Sequence, residues 1–166
     1  RHGDDRWEEI VAIARVHQDV FIELRNHSDQ STIAIVEAAV QVTGQPIDYH
    51  LTHFGRFWVR RVALKNFRGL IDNYGGDFYS LLNNLNLMHT EISGSFLDYS
   101  PPSFAIEHLT EFGYQVTYQS HRQGFTPFVL GILEELAHFY KQSVDIKSVQ
   151  TTCVEGGEMS VISLEI

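Results

Sequence analysis

Apolar positions recur at helical spacing through the first two-thirds of the chain. Trp7, Ile10, Val11, Ile13 and Ala14 come after Asp4 and Asp5, acids that suit the positive end of a helix. Residues 20–25 read as a second, short element. From Ser31 or Thr32 a stronger helix carries Ile33, Val36, Ala39 and Val40 on one face and stops at Gly44. Pro46 sits near the first turn of the next helix, expected from about Ile47 into the sixties. Gly69 and the Gly75-Gly76 pair punctuate the next stretch of chain. Asp77 is the expected N-cap of a long helix bearing Phe78, Leu81, Leu82, Leu85, Met88 and Ile92.

The pattern changes at Pro101-Pro102, whose fixed φ angles end any helix. Residues 103–109 and 114–119 read as strands around the turn Thr110-Glu111-Phe112-Gly113, a hairpin. Residues 127–140 read as an amphipathic helix, and residues 144–152 and 160–165 alternate as strands around Gly156-Gly157. The predicted class is α+β. A helical N-terminal part packs on a four-stranded antiparallel sheet of β-β-α-β-β order.

At 166 residues, one domain spanning residues 1–166 is expected. Apolar residues at 43% and charged ones at 20% describe an ordinary globular chain. Twelve Lys and Arg against 21 Asp and Glu leave a formal charge of −9, which argues against a nucleic-acid partner. The single cysteine, Cys153, excludes an internal disulfide and a thiolate metal cluster and fits a cytoplasmic protein. No apolar run approaches the roughly 20 residues of a membrane span, and nothing reads as a signal peptide, so no membrane partner is expected. Nine His and eleven Phe stand out.

Candidate chemistry begins with His89. It lies in the leucine-rich helix, with Leu85 at i−4, Leu82 at i−7 and Ile92 at i+3. A neutral imidazole facing an apolar cavity is a competent axial ligand for iron, although the same position suits a core histidine bonded to a carbonyl. Tyr118, Ser120 and Arg122 form a second group. If the strand stays extended, they share one face at about 7 Å spacing and offer a phenol, a hydroxyl and a guanidinium. Such donors suit paired carboxylates, such as the two propionates of a heme, or simply a solvated strand face. Phe54-Gly55-Arg56-Phe57-Trp58 could line a flat apolar cavity or be plain core. His50 and His53 lack matching further zinc ligands and read as surface residues, and Glu134-Glu135 reads as a solvated helix face. No CxxCH, HExxH, GxGxxG, P-loop or GxSxG motif occurs.

Gly3…Trp7-Glu8-Glu9-Ile10, Phe54-Gly55…Trp58-Val59, Asn84-Leu85…Met88-His89 and Pro101-Pro102-Ser103-Phe104 precede Tyr118…Ser120…Arg122, Gly124-Phe125 and Leu130-Gly131. Together these resemble, over essentially the whole chain, the heme nitric oxide/oxygen-binding (H-NOX) sensor domains related to the heme domain of soluble guanylate cyclase. The resemblance implies a non-covalent heme b between the helical part and the sheet. His89 would be the iron ligand, and Tyr118, Ser120 and Arg122 would hold the propionates. Pro102 would press on the porphyrin face, with Trp58, Phe54 and Leu85 lining the pocket. Relatives that hold O₂ place a tyrosine where this chain has Pro127. The usual first N-terminal helix is not found ahead of Arg1, and the cysteines of the zinc-binding subgroup are missing, so no structural zinc is expected.

The function so implied is a non-enzymatic gas sensor. It would bind nitric oxide, with carbon monoxide as a second gas, and signal by release of His89 to a histidine kinase or a cyclic-nucleotide enzyme. A heme-free interaction or small-ligand module of related fold is the alternative. A heme peroxidase would need distal acid–base groups, for which no matched His and Arg are found.

Overall fold

The computed structural model describes residues 3–16, 29–94 and 100–166, so the element expected at residues 20–25 lies outside the described residues. Helix α1 (Asp4–Ala14) ends where Arg15 turns left-handed, with φ 51°. Helix α2 (Asp29–Thr43) starts two residues before Ser31 and stops at Gly44, whose φ of 71° closes the helix as its N–H reaches the Val40 carbonyl at 2.8 Å. Ile10 of α1 is buried against Ala38 and Ala39 of α2, where small side chains let the two helices approach.

Helix α3 (Ile47–Trp58) begins after Pro46, which is extended and just outside the helix. It runs on through a π-helical turn (Val59–Ala63) into the three-residue α4 (Leu64–Asn66). The expected passage into the sixties is present, but wound more widely in its middle. Gly69 lies inside α5 (Arg68–Tyr74) and breaks nothing; Gly75 ends that helix, where a Cβ would come within 2.6 Å of Leu81 Cβ. Burial of Ile71 in the core outweighs the modest helix cost of one glycine.

Helix α6 (Phe78–Ser93) has the expected cap: the Asp77 carboxylate accepts from Ser80 N–H at 2.7 Å. That bond also holds the Asp77 carboxyl below the usual aspartate range. Asp77→Ala is expected to cost about 1 kcal/mol, measured by urea unfolding at neutral pH. Because the folded-state pKa is depressed, the difference from wild type should shrink as pH falls through the aspartate range.

Strands β1 (Ser103–His108), β2 (Gly113–Ser120), β3 (Asp145–Val154) and β4 (Gly157–Glu165) form one antiparallel sheet in the order β1-β2-β4-β3. With α7 (Thr126–Phe139) between β2 and β3, the predicted β-β-α-β-β order holds. Register places Phe104 opposite Tyr118, Tyr118 opposite Ser160, and Ser120 opposite Glu158. The strand alternation therefore turns Val116, Tyr118, Ile162 and Leu164 inward, where they meet Leu133, Leu136 and Ala137 of α7 and Leu81, Leu82 and Leu85 of α6 in one core.

Helices α3 and α7 cross with almost no side chain between them. A Cβ on Gly55 would lie 2.1 Å from the Phe128 carbonyl oxygen, and one on Gly131 2.0 Å from that of Thr52. Polar pairs flank the crossing: Arg56 meets Glu134 at 2.7 Å and Arg60 meets Glu135 at 2.5 Å. The expectation of a solvated Glu134-Glu135 face is thus corrected. Glu135 is only 6% exposed, because Arg60 of the π-helical turn covers and neutralises it. Among the described residues, no helix is long and apolar enough to cross a membrane.

Candidate functional site

His89 rides on the C-terminal half of α6, one turn beyond buried Leu85. It is half-buried, with its ring centroid 5.8 Å from that of Phe104 on β1, and Phe104 stands 5.6 Å from Tyr118 on β2. Three rings therefore run in file from the helix onto the sheet. Asn86 fixes that approach: its Nδ2 donates to the Phe104 carbonyl at 2.6 Å, and its Oδ1 accepts from Phe104 N–H at 2.9 Å. The amide thus serves the edge of β1 as a neighbouring strand would.

Burial pushes the His89 imidazole below the ordinary histidine pKa range, while a hydrogen bond with the Pro102 backbone works the other way. The ring is therefore held neutral at physiological pH, the form that offers a lone pair to a metal, and its Nδ1 is sealed from solvent. Pro102 itself is half-buried immediately before β1.

Tyr118 and Ser120, 2% and 7% exposed, point to the helix-covered side of β2. Arg122 does not continue their row, which corrects the expectation of three tips on one extended face. The strand ends at Ser120, whose Oγ accepts from Arg122 N–H at 3.1 Å and draws the chain into a bend. Arg122 is exposed there, its guanidinium 5.6 Å above the Phe125 ring.

A second aromatic group forms where α3 meets α7. Phe54 (39% exposed) and half-buried Trp58 pack on Phe128 at centroid distances of 5.1 and 6.4 Å, and Phe125 joins at 6.3 Å. Pro127 lies beside them in the first turn of α7; its carbonyl accepts from the Thr52 hydroxyl at 3.1 Å, and its side chain has no donor. His50 Nε2 lies 2.9 Å from Thr43 Oγ1, and exposed His53 bonds the Tyr49 carbonyl through Nδ1 at 2.8 Å. Among the described residues, no three His, Cys, Asp or Glu side chains come together as a metal site.

Sequence reasoning missed Glu158. It is 4% exposed and accepts from Gly124 N–H at 2.6 Å, Thr126 N–H at 3.1 Å and the Thr126 hydroxyl at 2.8 Å. The Thr126 hydroxyl also bonds Ser160, which bonds Thr151 in turn. The available signal was period-two alternation: residues 158, 160, 162 and 164 share the inward face, so a polar pair at its start required partners.

A family model described as Haem-NO-binding (HNOB) matches residues 1–148. The chain belongs to the haem-NO-binding, or H-NOX, family. The unliganded Fe(II) H-NOX protein from K. algicida superimposes with a TM-score of 0.82 at 18% identity, covering 100% of this chain and 89% of that one. The H-NOX fold is thus shared, helical part and sheet alike. Soluble guanylate cyclase gcy-31 of Caenorhabditis elegans is 27% identical over 137 residues, 82% of this chain and 20% of its own length. Soluble guanylate cyclase 89Da of Drosophila melanogaster is 23% identical over 165 residues, 98% of this chain and 25% of its own length. The chain thus spans a quarter or less of these curated relatives, and the region in common is the H-NOX sensor domain rather than a catalytic one.

H-NOX domains bind heme, and the donor set here fits that group. A neutral, half-buried imidazole stands at one end of an aromatic file, and the file leads to a phenol and a hydroxyl on one sheet face. A guanidinium stands two residues beyond that hydroxyl, at the solvent edge where acidic groups need not be fully desolvated.

Proposed function

We propose that this chain acts as one cytoplasmic sensor domain that holds heme b non-covalently and detects nitric oxide, with carbon monoxide as a second gas. The observation that carries the reading is the half-buried imidazole of His89, set by α6 against Phe104 of β1, beside the helix-covered face of β2 that bears Tyr118 and Ser120. When bound, heme supplies a ferrous iron with an open position for a diatomic gas. His89 is the iron ligand; Tyr118, Ser120 and Arg122 receive the propionates; Pro102 bears on the macrocycle, and Leu85, Trp58 and Phe54 line the pocket.

Selectivity is assigned to the scarcity of side-chain donors among Phe54, Trp58, Phe128 and Pro127. Bound O₂ carries partial negative charge, and a charged or strongly polar donor stabilises it by roughly 1.5–3 kcal/mol, whereas NO needs little such help. Pro127 contributes no side-chain donor, and beside it Phe54 and Trp58 pack on Phe128, the Trp58 indole N–H being the one donor among these four side chains.

Signalling is assigned to α6. His89 would tie α6 to the heme, and Asn86, whose side-chain amide pairs with both backbone groups of Phe104, would pass a shift of α6 on to β1. Motion of the helical part against the sheet is then offered to a partner such as a histidine kinase or a cyclic-nucleotide enzyme, and it counts as allosteric through the contacts it changes there. The test is the absorption spectrum of the reduced protein. The expected result is a Soret band unchanged by air and shifted by NO. A protein that takes up no heme would favour the interaction-module reading, and a stable oxygenated spectrum would overturn the selectivity.

A further inference from the structure

The first two residues of β4 brace the bend that carries Arg122. At its start, Gly157 lies so close to β2 that a Cβ would sit 2.0 Å from the Ser120 carbonyl oxygen and 2.7 Å from His121 Cα. At its end, the Glu158 carboxyl takes the N–H groups of Gly124 and Thr126, one oxygen to each, and adds the Thr126 hydroxyl. Gly124 has a φ of 80°, a left-handed turn that these bonds hold in place. Between the two anchors Arg122 is exposed, and its stem gains direction from Ser120 Oγ on its own N–H and from the Phe125 ring beneath its guanidinium. Phe125 lies between Gly124 and Thr126, so the residue on which Arg122 rests is itself set by Glu158.

We infer that Glu158 is a positioning residue for Arg122: by fixing Gly124 and Thr126 it holds the bend and the Phe125 platform that aim the guanidinium at an anionic group. The inference rests on the proposed role of Arg122 at the heme propionates and extends it to a buried carboxyl on another strand. A long cationic side chain on a loose bend loses rotamer freedom each time it engages a carboxylate, and a pre-set bend removes part of that loss. Isosteric Glu158→Gln keeps one acceptor but turns a second amide group toward backbone N–H donors, leaving a buried donor unmatched.

Heme transfer from the holoprotein to excess apomyoglobin, followed in the Soret region, tests this in wild type, Arg122→Ala, Glu158→Gln and the double variant. Glu158→Gln is expected to speed heme loss by about tenfold when Arg122 is present. In the Arg122→Ala background it should change the rate by less than about twofold, because there is no guanidinium left to aim. A purely structural role predicts the same factor in both backgrounds, and that result would overturn the inference, as would an unchanged rate in Glu158→Gln. An unchanged rate in Arg122→Ala alone would instead overturn the propionate role, and the inference with it. Should Glu158→Gln not fold, Thr126→Val removes one donor to the same carboxyl. It is expected to speed loss by about threefold, again only when Arg122 is present, and equal effects in both backgrounds would count against the inference.

Discussion

Replacing His89 with glycine is expected to abolish the protein's own iron–imidazole bond and to weaken heme retention by at least about 100-fold. Groups that merely orient a metal ligand are worth about 10–100-fold in affinity, and here the proposed ligand itself is removed. Imidazole supplied in solution should enter the space left by the side chain and restore the ferrous spectrum, but not the mechanical link to α6. Rescue of the spectrum without rescue of any NO-linked shape change would separate the two roles of the ring. The check is a Soret titration with imidazole, paired with limited proteolysis or small-angle scattering with and without NO. A wild-type ferrous spectrum in His89→Gly without imidazole would remove His89 from the iron.

The second large effect lies at the crossing of α3 and α7. Gly131→Ala places a methyl 2.0 Å from the Thr52 carbonyl oxygen, and Gly55→Ala places one 2.1 Å from that of Phe128. Backbone cannot yield there as a flexible side chain could, so each change must push the helices apart. The expected cost is at the upper end of about 1–3 kcal/mol for overpacking, or more. In a chain of this size each kcal/mol lowers Tm by roughly 2–4 °C. Gly69→Ala is the control. It sits inside α5 with nothing within 4 Å of the added Cβ, so it should be neutral or stabilising by up to about 1 kcal/mol. The three variants need only be compared by chemical unfolding; a neutral Gly131→Ala would mean that the helices part freely.

This contrast also shows what the amino-acid pattern could reveal. Leu81, Leu82 and Leu85 advertise the inward face of α6, and Asp77 its start, because both signals are local. The hairpin and the order of the strands emerge from alternation and from the turn residues between them. Gly55 stands out in the sequence only within an aromatic stretch and Gly131 only within a resemblance, since the carbonyl that excludes a side chain at each lies on another helix. Glu135 looked solvated because its partner Arg60 is 75 residues away in sequence. The π-helical turn has no distinctive periodicity of its own, and it passed as ordinary helix.

The candidate site divides in the same way. His89, Tyr118 and Ser120 sit on regular elements, where spacing predicts direction, and the structure brings a helix and two strands to one file of rings. Arg122 sits one step beyond regularity. Its place depends on a hydroxyl capturing its own backbone N–H and on Glu158 holding the far end of the bend. Both are side-chain to backbone bonds, and no hydrophobic pattern encodes them.

Resonance Raman spectroscopy of the reduced, gas-free protein tests the central assignment most directly. An iron–imidazole stretch is expected, moving to lower frequency when the histidines carry ¹⁵N and vanishing in His89→Gly. A reduced heme protein without that stretch, or a stretch that survives the loss of His89, would contradict the account.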